Sequence, residues 1–338
     1  MKRYVGTCFR SILILCLILP ILTGIICSLA SCDHREFLYE LPSKRQPVTV
    51  EFDWSSDPGA NPEGMTVYFF RMNSTSSTPI VYDMKGREGG SLNLIPGLYA
   101  AIAHNSDSDR HGFTGYDSYH EFGIRLNDHR NIGDLHSNSN LYPRIDNERI
   151  AHSPDSMWVG SISMFEIKAP DPTVSTKAAP VIIRFVMQPV VAHYTFHITN
   201  PINFNNSLSV SATLSGMAGT IHPARGVKGE ETVTHFFNMT PTADGNLYGE
   251  FLTFGHCGGD SIISKADNDG SHILIIHATL SNGKKWNSVH DVTDQIHNSR
   301  VQDCVIKLDS VSFPKSSAGG GFSPTVGDWS GNREEVGM

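Results

Sequence analysis

The sequence predicts an all-β protein made of antiparallel sheets. Short runs of β-branched and aromatic residues recur along the chain, separated by Gly, Pro, Asn, Asp and Ser. The segment 48–54 alternates apolar and polar residues, which is the period of a half-buried strand. Its apolar residues, which would share one face of that strand, are Val48, Val50, Phe52 and Trp54. Many short strands with frequent turns are typical of β-sandwiches, and the chain is long enough for two in tandem.

The first 31 residues predict a cleaved lipoprotein signal peptide. Three basic residues precede an apolar run over residues 11–29, and the chain turns polar after Cys32. The end of this run, Leu29-Ala30-Ser31-Cys32, resembles the lipobox of bacterial lipoproteins, in which the cysteine is acylated and becomes the new N-terminus. The alternative is an uncleaved transmembrane helix, because the run has roughly the ~20 residues that span a bilayer. Pro20 and Gly24 interrupt that run and favour the signal peptide.

Residues 32–44 then form a tether, and residues 45–170 form the first predicted sandwich. Pro96-Gly97 is a turn pair, so the stretch from Leu92 to Tyr99 is predicted to be a hairpin. The polar stretch 127–154 lacks any period and is predicted to be a surface excursion. The strands predicted after Trp54 are Thr66–Phe70, Ile80–Met84, Ser91–Ile95, Leu98–His104, Tyr119–Leu126 and Trp158–Ile167.

A proline-rich connector at 171–180 divides the chain, because the surrounding stretch 168–180 has three prolines and no large apolar residue except Val174. The second sandwich occupies residues 181–314, with one helical turn near 291–297, and residues 315–338 form a tail. The predicted strands of this half are Val181–Met187, Val190–Ile198, Leu208–Leu214, Thr232–Met239, Leu247–Phe254, Ile273–Leu280 and Cys304–Leu308.

Charge and cysteine content limit the partners and cross-links. The net charge of the chain is −8, and removal of the basic leader makes the rest more acidic. An acidic chain argues against nucleic acid and anionic lipid surfaces as partners. Outside the leader and Cys32, the cysteines that remain are Cys257 and Cys304. They form either one disulfide or two separate buried thiols, because sequence does not reveal whether their strands adjoin.

No motif in the sequence predicts a metal site, a cofactor or an enzyme. Among the 16 histidines, the close pair on one element is His193 and His197. These two share one face of a strand but lie about 13 Å apart, too far for one ion to bridge. The chain has no nucleophile elbow, Walker loop, dinucleotide fingerprint or HExxH helix. We therefore expect a non-enzymatic protein without a metal or cofactor.

Several stretches together resemble a known family. They are the Leu-Ala-Ser-Cys start, Val50–Trp54, the stretch Asn-Pro-Glu-Gly-Met-Thr-Val-Tyr-Phe-Phe over residues 61–70, Leu94–Tyr99 and residues 319–329. Together they look like a family of Bacteroides lipoproteins related to the anchor-type lipoproteins of Bacteroidales fimbriae (FimB/Mfa-like). The resemblance covers nearly the whole chain after the leader. It implies two transthyretin-like sandwiches, an acylated Cys32, an outer-membrane anchor and a position at the cell surface.

The resemblance also implies a mechanical function. Subunits of such fibres join when one chain supplies a β-strand to a groove in the next, and the anchor holds the base of the fibre at the membrane. An open sheet edge permits strand addition because its unpaired N–H and C=O groups bind the backbone of the added strand. Alternate side chains of the added strand then fill pockets of the accepting subunit. The tail is the predicted docking segment, and its docking residues would be Phe322, Val326 and Trp329. The alternative is that the tail packs against its own domain instead of another subunit.

A surface glycan-binding lipoprotein is the second function that the sequence leaves open. Sandwiches that bind sugars stack exposed aromatic rings on the sugar ring. The aromatic residues available for such stacking are Trp158, Trp286, Tyr116 and Tyr119.

Overall fold

The computed structural model describes eight stretches of the chain, and within them the regular secondary structure is almost entirely strand. The described residues are 45–72, 78–129, 148–169, 181–204, 209–257, 270–280, 283–300 and 302–315. None of the helices within these ranges is long and apolar enough to cross a membrane. The all-β prediction is confirmed.

The strands fall into two groups along the chain. Those of the first half are β1 (Gln46–Asp53), β2 (Gly64–Arg71), β3 (Ile80–Lys85), β4 (Gly90–Leu94), β5 (Gly97–Asn105), β6 (His111–Thr114), β7 (Gly123–Leu126), β8 (Arg149–Ala151) and β9 (Trp158–Ile167). Those of the second half are β10 (Val181–Val186), β11 (Gln188–Pro189), β12 (Ala192–Thr199), β13 (Ser209–Ala218), β14 (Thr220–His222), β15 (Val227–Lys228), β16 (Thr232–Pro241), β17 (Leu247–Thr253), β18 (Ile273–Thr279), β19 (Lys285–Asp291) and β20 (Asp303–Asp309). One short helix, α1 (Thr293–Asn298), lies at the predicted helical turn.

These strands form four sheets. Their orders are β10-β1-β4, β11-β9-β5-β2-β3, β15-β14-β7-β6, and β19-β18-β13-β16-β17-β12-β20 with β8 attached to β16. Most neighbouring strands are antiparallel, as predicted. The pairs β1–β10, β12–β20 and β8–β16 are parallel. The sequence does not reveal these parallel pairs because they join segments that are far apart along the chain.

The predicted hairpin around Pro96-Gly97 is wrong. β4 pairs with β1, whereas β5 pairs with β2 and β9, so the turn carries the chain from one sheet to another. Turn residues specify a local change of direction, but they do not specify which strands pair on either side of the turn.

The three-stranded sheet covers one face of the five-stranded sheet and forms the first core. The alternation of β1 places Val48, Val50, Phe52 and Trp54 inside this core, as the pattern predicts. β10 adds Ile183 and Phe185 to the same core. The strand assigned by sequence to the start of the second sandwich therefore completes the core of the first half. The connector 171–180 lies outside the described residues, and the domain limits stay a prediction.

The five-stranded sheet is also buried on its other face. Tyr68, Phe70 and Ile102 point away from the first core and belong to the second, larger core. That core contains side chains from the eight-stranded sheet, including Phe196 and Phe237. A strand buried on both faces needs apolar residues at successive positions. This explains why β2 is almost continuously apolar instead of alternating.

An ion-pair cluster joins segments from both halves of the chain. The carboxylate of Glu231 accepts hydrogen bonds from Arg125 at 2.7 Å and from Arg149 at 2.8 Å. Partial burial raises the pKa of Glu231, but the two guanidinium groups outweigh this effect and lower it to about 2. Beside this cluster, β8 pairs with the N-terminal part of β16. β8 lies within the stretch predicted to be a surface excursion, so part of that stretch belongs to a sheet.

Candidate functional site

Two strands that follow one another along the chain, β9 and β10, each have an edge with which no described strand pairs. β10 pairs with β1 on one side, and no described strand pairs with it on the other. β11 pairs with β9 only at Trp158 and Val159, so Gly160–Ile167 has no described partner on that side. We call Gly160–Ile167 together with Val181–Val186 the β9–β10 edge.

The two open edges meet at one corner of the first core. A single residue, Met187, separates β10 from β11, and here the chain passes from the three-stranded to the five-stranded sheet. At this point the strands approach closely, since a Cβ atom added at Gly160 would lie 3.0 Å from the Met187 sulfur and 3.1 Å from the Val186 carbonyl oxygen. The glycine therefore permits the contact that brings both edges to one place.

Four of the eight exposed side chains along the β9–β10 edge are apolar. Met164 is 64% exposed, Ile182 57% and Val186 48%, and Val181 is also exposed. The Arg184 guanidinium lies among them and pairs with the Glu51 carboxylate of β1 at 2.8 Å. Single exposed apolar residues are ordinary, but several of them on strands whose edge has no described partner make a candidate binding surface.

Several other sheet edges in the described part of the chain carry features that disfavour strand addition. At β4, the Asn93 carbonyl accepts hydrogen bonds from the Tyr82 hydroxyl at 3.0 Å and the Arg45 guanidinium at 3.3 Å. At β20, the Gln295 side chain binds both the N–H and the C=O of Lys307, at 2.8 and 3.0 Å. The outer strands β3 and β19 carry charged residues. These features disfavour strand addition at those edges. The β9–β10 edge also carries charged residues, Glu166 and Arg184, and Arg184 is paired with Glu51.

Of the site residues predicted from the sequence, some lie outside the described residues and two, Cys257 and Cys304, lie within them. The acylation site Cys32 and the tail residues Phe322, Val326 and Trp329 lie outside the described residues. Cys257 and Cys304 are thiols and are not joined in a disulfide. Cys257 Sγ donates to the Glu231 carbonyl at 3.5 Å, and Cys304 Sγ donates to Ser299 Oγ at 3.1 Å. Cys304 is buried and Cys257 is half-buried.

The aromatic residues considered for sugar stacking are mostly used inside the protein. Tyr119 is buried in the second core, and Trp286 packs against that core. Trp158 is half-buried and donates its indole N–H to Asp57 at 2.8 Å. Tyr116 is exposed. A sugar platform needs adjacent exposed rings, so this set gives the glycan-binding alternative no specific support.

A shallow cleft of about 400 Å³ contains one carboxylate in a polar setting. Glu250 accepts hydrogen bonds from the Tyr248 hydroxyl at 2.5 Å and from His193 at 3.1 Å. These hydrogen bonds hold the pKa of Glu250 below its usual value. A general acid at neutral pH needs a raised pKa. Glu250 is therefore ionised at neutral pH and is not a general acid there.

A cluster of three histidines is the feature that sequence reasoning missed. His256, His272 and His297 have ring centroids 5.4, 5.1 and 5.2 Å apart. They come from three separate elements, so no spacing along one strand or helix connects them. The high number of histidines is the only feature of the sequence that points to this cluster.

Comparison with known proteins now gives the family. A family model described as "Domain of unknown function (DUF5119)" matches residues 31–238. The chain belongs to the DUF5119 family. This match covers the first half and the part of the second half that contains β10 to β15.

Relatives of this DUF5119 chain come from Bacteroidales. A Bacteroides ovatus protein with the provisional name fimbrium anchoring subunit Fim4B is 23% identical over 230 residues, which are 64% of this chain and 62% of that protein. A B. ovatus crystal structure provisionally described as an adhesin has a TM-score of 0.62 at 18% identity, covering 86% of this chain and 99% of that one. The fimbrial anchor protein Mfa2 of Porphyromonas gingivalis has a TM-score of 0.46 at 14% identity, covering 78% and 90%.

Proposed function

We propose that this DUF5119 chain is a non-enzymatic surface lipoprotein that anchors or accompanies a fimbria-like fibre. It would accept a β-strand from a fibre subunit at the β9–β10 edge. The observation that carries the proposal is the pair of open, apolar strand edges at one corner of the first core. The provisional name of the B. ovatus relative, a fimbrium anchoring subunit, supports the same reading.

Strand addition has the right energetics at this edge. Each main-chain hydrogen bond formed with an incoming strand contributes about 0.5–1.5 kcal/mol net. Full burial of Ile182 or Met164 contributes about 1.5–3 kcal/mol each. Arg184 is already paired with Glu51 before a strand is added. This pairing lowers the desolvation cost of covering the Arg184 guanidinium with the added strand. The fibre subunit therefore needs a strand with apolar residues at alternate positions, without a carboxylate opposite Arg184.

The second part of the proposal is attachment to the outer membrane through acylated Cys32. Cleavage before Cys32 would leave residues 32–44 as a tether to β1. The tail is a candidate donor strand, since Phe322, Val326 and Trp329 could fill the edge of another subunit by the same chemistry. An acidic chain without a basic surface motif fits a protein partner better than nucleic acid.

The docking step is tested by placing charge on the edge in the full chain. Ile182→Lys combined with Met164→Lys removes the apolar contacts at two exposed positions, so the fold should be retained. The matched control is Val289→Lys on β19, where the wild-type side chain is 53% exposed. In cells that carry each variant in place of the wild-type gene, we expect fibre protein to be shed into the medium only for the double variant. Retention of fibres by that variant, with unchanged melting, would contradict docking at this edge.

The anchoring step needs a separate variant. Cys32→Ala should prevent acylation and move the chain to the soluble fraction, while the β9–β10 edge stays intact. Fractionation and intact-mass measurement of the full chain check both points. A variant that stays bound to the membrane would show that residues 11–29 are an uncleaved anchor instead of a signal peptide.

A further inference from the structure

His256, His272 and His297 form a compact group in the second core, independent of the β9–β10 edge. One ring nitrogen from each residue can be chosen so that all three lie within 4.8 Å of one another. His256 and His272 are buried and His297 is half-buried. The group is therefore enclosed on most sides and accessible next to His297.

Backbone contacts around β13 bring the three residues together. His256 forms an isolated bridge with Met217 of β13. The His272 N–H donates to Thr293 Oγ at 2.8 Å, and the His272 carbonyl accepts from the Val292 N–H at 3.0 Å. These two bonds fix the start of α1 against His272. His297 follows one turn later on α1, which places its ring over the other two.

The rings present nitrogen atoms that lack a hydrogen-bond partner. They are Nδ1 of His256, Nε2 of His272 and Nε2 of His297, and all three are buried. A buried polar atom without a partner costs about 1–3 kcal/mol. Three such atoms at one place are expensive unless something binds them. A metal ion that accepts three nitrogen lone pairs removes the cost at all three.

The ring of His272 is held in the orientation of a metal ligand. Its Nδ1 lies 3.1 Å from the Ser215 carbonyl oxygen, so Nδ1–H donates and Nε2 carries the lone pair. The same peptide group donates its Gly216 N–H to the Glu148 carboxylate, at 3.2 and 3.1 Å. Metal-binding histidines commonly donate their second N–H to a carbonyl or carboxylate, which fixes the tautomer and raises ligand basicity.

A bulge in β13 makes this arrangement fit. The register between β13 and β16 shifts between Leu214 and Met217. Gly216 has a φ of +78°, and a Cβ atom there would lie 2.6 Å from His272 Nδ1. Only glycine combines this backbone conformation with this contact. Bulges of this kind often re-aim side chains at functional sites.

We propose that His256, His272 and His297 bind one divalent transition-metal ion of the zinc class, with water at a fourth position. Imidazole nitrogen suits Zn²⁺, Cu²⁺ and Ni²⁺, whereas Ca²⁺ and Mg²⁺ require oxygen ligands. Zinc–nitrogen bonds of about 2.0–2.1 Å in a tetrahedral site place the nitrogens roughly 3.3 Å apart. Small ring rotations reach this separation from the present arrangement. The ion would cross-link the segment after β17, the segment before β18 and α1.

The charges that face the cluster act in both directions. Lys228 disfavours a cation, although burial lowers its pKa to about 8. Glu148 and Asp291 favour one, since both carboxylates raise the pKa of His272 against the stronger effect of burial. Burial, assisted by Lys228, lowers the pKa of His256 to about 4, which keeps its imidazole in the neutral, ligating form.

Cys257 does not belong to the ligand set, although it follows His256 directly. Its thiol donates to the Glu231 carbonyl at 3.5 Å. The group of residues whose ligand atoms lie within 4.8 Å of one another contains the three histidines and not Cys257. A site with three histidines and one open position is therefore expected.

The test uses the full chain, stripped with a chelator and then titrated with Zn²⁺ or Co²⁺. We expect about one ion per chain and, at 100-fold excess over Kd, a Tm increase of about 5 °C. Bound Co²⁺ should give the visible absorption of a tetrahedral site. His297→Gln changes the half-buried member of the cluster and should abolish all three signals, whereas His193→Gln, an exposed control, should leave them unchanged.

A second variant keeps the proposal testable if His297→Gln fails to fold. Glu148→Gln leaves all three histidines in place but weakens the support behind His272, so Zn²⁺ affinity should fall by about 10-fold or more. Far-UV circular dichroism checks that each variant is folded. The proposal is overturned if the wild-type chain binds neither ion, or if folded His297→Gln binds Zn²⁺ as tightly as wild type.

Discussion

Protonation of His235 should make the protein lose stability in mild acid. His235 lies on β16 and is fully buried, and the effect of the Ala151 backbone on its pKa is smaller than that of burial. Burial lowers its pKa from 6.5 to about 3. Above pH 6.5 the ring is neutral in the folded and unfolded chains alike. Below pH 6.5 the unfolded chain takes up a proton that the folded chain cannot, so stability falls as the pH approaches the folded pKa.

The size of this loss follows from proton linkage. At pH 5, about 1.5 units below the ordinary pKa, one neutral buried histidine costs roughly 2 kcal/mol of unfolding free energy. The assay is urea unfolding of wild type and His235→Leu at pH 7 and pH 5. Other buried histidines, such as His104 and His277, contribute equally to both proteins, so they cancel in the comparison.

Wild type should lose about 2 kcal/mol more than His235→Leu between the two pH values. His120→Gln, at an exposed position, is the control and should keep the wild-type pH dependence. If His235→Leu and wild type lose the same stability, His235 either gains a proton in the folded chain or is solvated, and the reasoning from burial fails.

Two further predictions concern the second core and the β20 edge. The centroid of the Phe237 ring lies 4.4 Å from that of Phe196 and 5.0 Å from that of Phe251. Phe237→Ala should therefore lower the unfolding free energy by about 3–5 kcal/mol. A loss below about 1 kcal/mol in urea unfolding would mean that this core repacks around the smaller side chain. Gln295→Ala removes both side-chain hydrogen bonds to Lys307, and should cost about 1–2 kcal/mol and promote self-association. Size-exclusion chromatography that shows a monomer at all concentrations would refute the second expectation.

Local patterns predicted individual strands better than they predicted partners. The alternation over residues 48–54 identifies β1 and its buried face because period two is a property of the strand alone. The turn at Pro96-Gly97 is real, but the pairing across it is not, since pairing depends on segments elsewhere in the chain. β8 was missed because three residues, one of them Arg149, carry too little apolar signal.

The candidate sites were hidden from the sequence for the same reason. Ile182 and Val186 look like ordinary core residues until the sheet order leaves their strand at an open edge. The three histidines of the cluster lie on separate elements, and a bulge at Gly216 creates the space that they share. Both sites depend on tertiary packing, whereas the predicted lipidation at Cys32 depends on a contiguous motif.

The two proposals place different demands on the molecule. A strand added to the open side of β10 would be separated from β1 by β10 alone, because β10 and β1 pair in parallel at six positions from Val48–Val181 to Asp53–Val186. β1 is also the first described strand after the proposed tether to Cys32. A pulling force on the fibre would therefore be transmitted to the anchor through the β10–β1 ladder and the first core, and not through the eight-stranded sheet. Loss of the metal ligand in His297→Gln should then lower thermal stability while fibres stay attached, which separates the histidine cluster from the docking edge.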